Sequence, residues 1–240
     1  MQIRAAWVTD KGLKRDSNQD SCLCDEESRL YVVADGMGGH SGGEVASKMA
    51  VDLMRDYIGA HLKSRQLAKD ILIKAYAKAS ESIFERAQKE GPHLSGMGTT
   101  AVSLWARENK VYIGNVGDSR CYLFVEGHLW QLTEDHSLLN EQVRAGILTD
   151  EQVKTMSGKN VITRSVGYES AVSVDVIERS LILGDQYLLC SDGLSSLVPH
   201  ETILNVLNNN PFELVPQLLV DVALKHGGDD NVTVLGLRVE

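Results

Sequence analysis

Five aspartates in this chain stand where apolar runs end or where glycines predict turns. Asp35 follows the apolar residues 30–34 and precedes Gly36. An apolar run of that length between turn residues is typical of a buried strand, so we expect Asp35 at a strand end. The other four are Asp20, Asp118, Asp192 and Asp230. One such aspartate is most often a turn former or a helix N-cap, but five together favour a common site.

Carboxylates gathered at one place can hold cations. Ionised carboxylates repel one another and raise one another's pKa, so a cluster that stays ionised needs positive charge beside it. Oxygen ligands without His or Cys favour hard ions such as Mg²⁺ and Mn²⁺. Two such ions can activate a water and neutralise a phosphoryl group during in-line displacement. The five aspartates are therefore compatible with metal-assisted hydrolysis of a phosphate ester.

The sequence disfavours covalent catalysis by serine or cysteine. Ser191 precedes Asp192 but lacks the Gly-x-Ser-x-Gly turn that exposes a nucleophilic serine. Cys190 is not followed by a loop that could cradle an anion. The other cysteines, Cys22, Cys24 and Cys121, lie in apolar or alternating segments. They are interpreted as buried free thiols of a reducing compartment rather than as metal ligands.

The elements that must position these aspartates fall into blocks of strands and blocks of helices. This order favours a layered α+β sandwich over a doubly wound sheet. The two-residue links 108–109 and 126–127 predict hairpins. Predicted strands are 5–9, 21–24, 30–34, 99–107, 110–116, 120–126, 128–132, 172–180, 186–190 and 232–239. Apolar stripes predict helices at 45–58 and 67–84, and further helices are expected at 137–145, 149–156, 199–207 and 211–225.

Composition narrows the classes of function. The chain has 240 residues, of which 43% are hydrophobic, and this suits one large domain, residues 1–240. A net charge of -9 and the lack of a basic cluster argue against nucleic-acid binding. No apolar run could cross a bilayer, and the first residues lack a signal-peptide pattern. We therefore expect a cytoplasmic protein, and a monomer, with no membrane partner.

Eight segments, in order along the chain, resemble the bacterial type 2C protein phosphatases, a family of metal-dependent Ser/Thr phosphatases. The segments are 12–20, 33–40, 98–100, 114–120, 132–137, 162–167, 191–194 and 227–233. Eight ordered motifs are far more specific than a single glycine-rich loop. The resemblance implies a four-layer αββα sandwich, with two mostly antiparallel sheets flanked by helices. It also implies a flap insert at about 135–160. We expect Asp135 or Ser137 to be the N-cap of the first helix in this insert.

The resemblance implies a set of metal ligands. Asp35 would bridge two Mn²⁺ or Mg²⁺ ions, and the backbone carbonyl of Gly36 would bind the second ion. Asp192 and Asp230 would complete the first. Asp118 would join Asp192 at a third, weaker position.

Two further residues would act around these ions. Asp20 would act mostly through metal-bound water. Arg15 would clamp the substrate phosphate, a role that suits the planar fork of a guanidinium. The alternative for Arg15 is a surface ion pair. The implied reaction is direct attack of a metal-bridging hydroxide on phosphorus, without a phosphoenzyme.

The chain departs from some relatives at three places. Met37 stands directly after Asp35-Gly36, where some relatives carry a histidine proposed as general acid. A metal-bound water could donate the proton, or His40 could help; His40 could equally be a structural residue that caps the next helix. The flap has Gly-Lys-Asn at 158–160, and Asp229 adds a carboxylate beside Asp230.

We therefore expect a phosphoserine and phosphothreonine protein phosphatase whose partners are phosphorylated proteins, including a Ser/Thr kinase or its substrates. A catalytically inactive regulatory module of the same fold is one alternative. A hydrolase of small phosphoesters is another, although no P-loop is present to favour nucleotides.

Overall fold

The computed structural model describes residues 1–38, 42–149, 152 and 161–240, and its strands form two antiparallel sheets. The strands, in chain order, are β1 (Ile3–Asp10), β2 (Asp20–Asp25), β3 (Leu30–Met37), β4 (Gly98–Thr99), β5 (Ala101–Arg107), β6 (Lys110–Val116), β7 (Arg120–Val125), β8 (His128–Gln131), β9 (Asp175–Ser180), β10 (Gln186–Cys190) and β11 (Val232–Val239). One sheet has the order β1-β11-β10-β7-β8. The other has the order β2-β3-β5-β6-β9, with β4 paired to β3.

Helices pack on the outer face of each sheet. Within the described residues, the helices are α1 (Gly42–His61), α2 (Ala68–Lys89), α3 (Leu138–Arg144), α4 (Asp192–Ser195), α5 (His200–Asn209) and α6 (Val215–Lys225), with short 3-10 helices at Gly91–His93 and Phe212–Leu214. Helices α1 and α2 pack on the sheet that contains β3, and α5 and α6 pack on the sheet that contains β10. The expected four-layer arrangement is therefore confirmed. No helix within the described ranges is long and apolar enough to cross a membrane.

Strand β3 is buried on both faces because it lies between two of these layers. Leu30, Val32 and Ala34 face the helices. Tyr31 and Val33 face the other sheet. Side chains alternate along a strand, so Asp35 lies on the same face as Tyr31 and Val33, toward the space between the sheets.

Both predicted hairpins are present. Arg107 pairs with Lys110, and Val125 pairs with His128. The links have the positive φ values that tight hairpin turns need, 56° at Glu108 and 50° at Glu126.

Several element boundaries differ from the sequence predictions. The strand predicted at 30–34 continues to Met37 because Gly36 and Met37 pair with β4, and the strand predicted at 99–107 is divided into β4 and β5. The strand predicted at 172–180 begins only at Asp175, where pairing with β6 begins. The helix predicted at 211–225 starts as a 3-10 turn, and α4 was not predicted.

The flap falls partly outside the described residues. Its first helix is α3, and Ser137 is the N-cap, with its side chain accepting a hydrogen bond from the backbone N–H of Asn140. The predicted second helix at 149–156 and the Gly-Lys-Asn segment at 158–160 lie outside the described residues, apart from positions 149 and 152.

Candidate metal centre

Asp20 and Asp35 lie directly opposite each other on neighbouring strands. The antiparallel register of β2 and β3 pairs Asp20 with Asp35. Asp20 shares its face with Cys22 and Cys24, which pack between the sheets, so both carboxylates point into the same space. Like charges directly opposite each other destabilise a strand pair, so this arrangement favours a role beyond folding.

Asp20 is a buried carboxylate of the centre. Its Oδ2 accepts hydrogen bonds from the hydroxyls of Ser191 and Thr233, each at 2.7 Å. Its Oδ1 is buried and has no hydrogen-bond partner among the described residues. Burial raises the pKa of Asp20 to about 7, although the two hydroxyls lower it. Asp20 therefore joins the ends of β10 and β11 to β2 and keeps one oxygen free for a ligand.

The backbone at Asp35 is fixed by two threonines. The Asp35 carbonyl accepts from the Thr100 N–H and from the Thr99 hydroxyl, both at 2.8 Å. The Asp35 N–H donates to the Thr100 hydroxyl at 3.0 Å. Burial raises the pKa of Asp35 well above its usual value, and the carboxylates of Asp20, Asp192, Asp230 and Asp118, in that order, raise it further. The other four predicted aspartates therefore lie close to Asp35.

Asp192 opens α4 at the end of β10. Its Oδ1 is buried, and no described residue forms a hydrogen bond with it. Burial, and then the charge of Asp230, raise the pKa of Asp192, while a hydrogen bond with Asp35 opposes the rise. A Cβ on Gly193 would lie 2.0 Å from the carbonyl oxygen of Asn231, so only glycine lets the start of α4 come this close to the loop that carries Asp230.

Asp118 lies at the turn between β6 and β7. It is buried, and burial followed by the charges of Asp192 and Asp135 raises its pKa to about 7. Gly117 precedes it with φ of 102°, and a Cβ there would lie 2.6 Å from the Thr100 side chain. This turn therefore packs against the residue that fixes Asp35.

Asp230 is engaged by the predicted phosphate clamp. Its Oδ2 accepts from the Arg15 guanidinium at 2.6 Å, and its Oδ1 accepts from the Asn231 N–H at 2.8 Å. The hydrogen bond with Asp230 raises the pKa of Arg15, which remains half exposed. Beside it, Lys14 forms an ion pair with Asp229. The ion pair considered for Arg15 therefore exists, and its partner is a carboxylate of the candidate centre.

Asn231 joins the loop of Arg15 to the loop of Asp230. Its side-chain carbonyl accepts from the Gln19 N–H, and its amide donates to the carbonyls of Lys11 and Ser17. Leu13 N–H also donates to the Gly228 carbonyl at 2.8 Å. These contacts place Arg15 at the mouth of the centre.

Gly36 lies where the chain passes closest to α1. A Cβ on Gly36 would lie 2.0 Å from the carbonyl oxygen of Gly43, so no other residue fits. The Gly36 N–H donates to the Gln19 carbonyl at 3.1 Å. His40, the predicted proton donor or cap, lies outside the described residues.

The donor set suits a hard divalent ion. Oxygen atoms dominate, and buried Oδ1 atoms of Asp20 and Asp192 have no other partner. No group of three or more His, Cys, Asp or Glu side chains among the described residues is already arranged to hold an ion. Mg²⁺ binds through one or two carboxylates and keeps several waters, so a closed cage of protein ligands is not required. For Asp230 to bind an ion, its hydrogen bond with Arg15 would have to break.

The sequence did not reveal the role of His136. The Gly117 N–H donates to its Nδ1 at 3.0 Å, and its Nε2 lies 3.0 Å from Asp175 Oδ2. Because Nδ1 accepts, the ring proton is on Nε2 and is donated to Asp175. Arg164 donates to the other oxygen of Asp175 at 3.0 Å. His136 thus supports the turn that carries Asp118, and nothing in the sequence around Asp175 signalled this contact.

The comparisons with known proteins agree with this geometry. Residues 13–219 match the family model described as Protein phosphatase 2C. The chain belongs to the protein phosphatase 2C family. It is 35% identical, over 97% of its length and 96% of the relative, to a putative protein phosphatase 2C-type of Streptococcus pyogenes. It is also 37% identical to the serine/threonine protein phosphatase PstP of Mycobacterium tuberculosis, over 97% of this chain but 44% of PstP.

Solved structures of this phosphatase 2C family share the fold. The crystal structure of M. tuberculosis PstP superposes with a TM-score of 0.90 and 34% identity, covering 100% of both chains. The PstP catalytic domain in complex with two manganese ions gives a TM-score of 0.86 and 35% identity, covering 99% of both chains.

Proposed function

We propose that the chain is a metal-dependent protein phosphatase that hydrolyses phosphoserine and phosphothreonine, and that residues 1–240 are its single catalytic domain. One observation carries the proposal: four aspartates from distant parts of the chain lie around Asp35, beside the half-exposed cation Arg15. The name of PstP and the manganese in its solved structure support the activity and the cofactor.

The carboxylates would hold Mn²⁺ or Mg²⁺ with distinct roles. Asp35 would bridge two ions, with the Gly36 carbonyl on one and Asp192 and Asp230 on the other. Asp118 would join Asp192 at a third position, and Asp20 would bind through water. When bound, such ions lower the pKa of a water and neutralise the charge of a phosphoryl group.

Arg15 would orient the substrate. A guanidinium fork matches two phosphate oxygens, and Arg15 already lies within 2.6 Å of a carboxylate oxygen. If Arg15 bound a phosphate instead of Asp230, the Asp230 carboxylate would be available to a metal ion. Binding of phosphate and binding of metal are therefore compatible at this pair. The leaving-group proton would come from a metal-bound water or from His40, which is equally a candidate cap of the next helix.

Phosphorylated proteins, including a Ser/Thr kinase or its substrates, would be the partners. The four cysteines are all free thiols, which supports a reducing compartment such as the cytoplasm. We propose that the protein acts there as a monomer. The complete set of aspartates disfavours an inactive module, because clustered carboxylates cost stability unless they bind something.

A Mn²⁺-dependent assay tests this function. The protein should release phosphate from phosphoserine and phosphothreonine peptides with Mn²⁺, and EDTA should abolish the release. Asp35→Asn should lower kcat by at least about 100-fold, because its charge would hold both ions. Asp221→Asn, on helix α6, is the matched control and should match the wild-type rate. Turnover in the presence of EDTA, or by Asp35→Asn at the wild-type rate, would contradict the proposal.

A further inference from the structure

A cavity of about 400 Å³ opens beside the candidate centre. Met37 from the end of β3 forms one wall, and residues between 162 and 173, ahead of β9, form the other. The lining residues are Met37, Ile162, Thr163, Arg164, Ser165, Tyr168, Glu169, Ala171, Val172 and Ser173. No residue assigned to metal or phosphate above lines this cavity.

Strand β3 connects the cavity to the centre. Asp35 and Met37 are two residues apart on one strand, so their side chains leave the same face about 7 Å apart. Alternate side chains of an extended peptide have the same spacing. If an extended peptide ran beside β3 with its phosphorylated residue at Asp35, the side chain two positions away would lie near Met37.

The outer wall of the cavity is held in place. Thr99 exchanges backbone hydrogen bonds with Val166, at 2.9 and 2.8 Å. The Ser80 hydroxyl on α2 accepts from the Gly167 N–H at 2.9 Å and donates to the Glu169 carbonyl at 2.8 Å. The wall is thus tied to β4 and to α2, so the cavity is formed before a substrate arrives.

The lining favours an apolar occupant. Tyr168 is 62% exposed, and Met37, Ile162 and Val172 line the same cavity. The charge of Arg164 is matched by Asp175, whose carboxylate lies 3.0 Å away. Glu169 then leaves the lining with an excess of negative charge. An acidic side chain would be repelled here, whereas an aliphatic one would bury apolar surface.

We propose that this cavity is a substrate subsite that accepts an aliphatic side chain of the phosphoprotein, two residues from the phosphorylated serine or threonine. The proposal rests on the phosphatase function and adds a sequence preference to it. Tyr168 and Met37 are its apolar walls, and the occupant belongs to the same polypeptide that carries the phosphate.

Matched phosphopeptides test the subsite. The peptides differ only at the positions two before and two after the phosphoserine, each carrying Leu, Ser or Glu in turn. At one of these two positions, we expect the Leu peptide to have a KM about tenfold lower than the Glu peptide, since one or two buried methylenes give differences of this size. Equal KM values across the set would overturn the subsite.

Two variants locate the preference at the cavity. Tyr168→Ala should remove most of the Leu preference, and Ser173→Phe should remove it by filling the space. Both should hydrolyse p-nitrophenyl phosphate, which has no flanking residues, at the wild-type rate. Leu67→Ala, which changes an exposed side chain at the start of α2, is the control and should keep the preference.

The outcomes separate the two proposals. If the wild-type protein hydrolyses none of the phosphopeptides with Mn²⁺, the phosphatase function itself fails. If it hydrolyses all of them without a preference, only the subsite fails. A Leu preference that survives in both Tyr168→Ala and Ser173→Phe would also overturn the subsite.

Discussion

The aspartates of the centre differ in their surroundings. Asp20 is satisfied on one oxygen by two hydroxyls, and Asp192 keeps a buried oxygen without a partner. Asp230 is half-buried and paired with Arg15. Identical side chains therefore have different capacities to bind an ion, and the local hydrogen bonds decide which oxygen is available.

At the residue scale, the fork of Arg15 is testable. Arg15→Lys keeps the charge but loses the bidentate geometry, so KM for p-nitrophenyl phosphate should rise by about tenfold, with a smaller change in kcat. Lys14→Ala changes the neighbouring ion pair with Asp229 and is the control. A KM for Arg15→Lys equal to that of the wild type would show that Arg15 does not hold the phosphate.

Asp118 offers a second test at this scale. Asp118→Asn should leave the two ions proposed at Asp35 in place but lower kcat by about tenfold or more, because the proposed third position would lose a ligand. Calorimetric titration with Mn²⁺ should show fewer bound ions while tight binding persists. Full activity of Asp118→Asn would rule out a catalytic role for a third ion.

At the scale of elements, three junctions hold the centre together. The register of β2 and β3 places Asp20 opposite Asp35, and the loops at 12–18 and 227–231 are joined through Asn231. His136 provides another junction, since its ring joins the turn between β6 and β7 to β9.

The His136 junction yields a prediction about its acceptor atom. His136→Ala would leave the buried N–H of Gly117 without a partner and should lower the free energy of unfolding by about 1–3 kcal/mol. His136→Asn has a side-chain oxygen that can replace Nδ1, so it should recover part of this loss and part of the Mn²⁺ affinity. Urea unfolding and Mn²⁺ titration measure both.

His128→Ala is the control for His136, because its ring is exposed on β8. If His136→Asn is no better than His136→Ala in either measurement, the hydrogen bond to Gly117 is not what the ring provides.

At the scale of the whole molecule, the centre places like charges in the space between the two sheets. Asp20 and Asp35 lie on strands of one sheet. Asp192 follows β10 and Asp230 precedes β11, and both of these strands belong to the other sheet. Repulsion across this space opposes packing of the sheets. The extensive apolar layer between the sheets, with residues such as Leu104, stabilises the fold against this repulsion.

Divalent ions should therefore stabilise the whole fold. Adding Mn²⁺ at about 100 times its Kd should raise the free energy of unfolding by about 2.7 kcal/mol per site, visible as a higher Tm. Sodium chloride of equal ionic strength is the control for screening, and Asp35→Asn should lose most of the Mn²⁺ effect. An unchanged Tm with Mn²⁺, or an equal rise with sodium chloride, would contradict metal binding between the sheets.

The sequence by itself determined the layered α+β class, the two hairpins and the candidate aspartates, because these depend on local patterns. Apolar alternation and turn residues are local, and so is the glycine that must follow Asp35. Element ends were predicted less well. Strand β3 continues to Met37, and β9 starts at Asp175, because pairing with a distant strand sets where each strand ends.

Only the tertiary structure decided which atoms of the centre are satisfied and which are free. The register opposing Asp20 to Asp35, the contact of Arg15 with Asp230 and the support of Gly117 by His136 all join residues far apart in the chain. No local pattern encodes such distances, since they follow from how the sheets and loops pack. The sequence was therefore enough to identify the carboxylates, whereas their contact partners depend on tertiary packing.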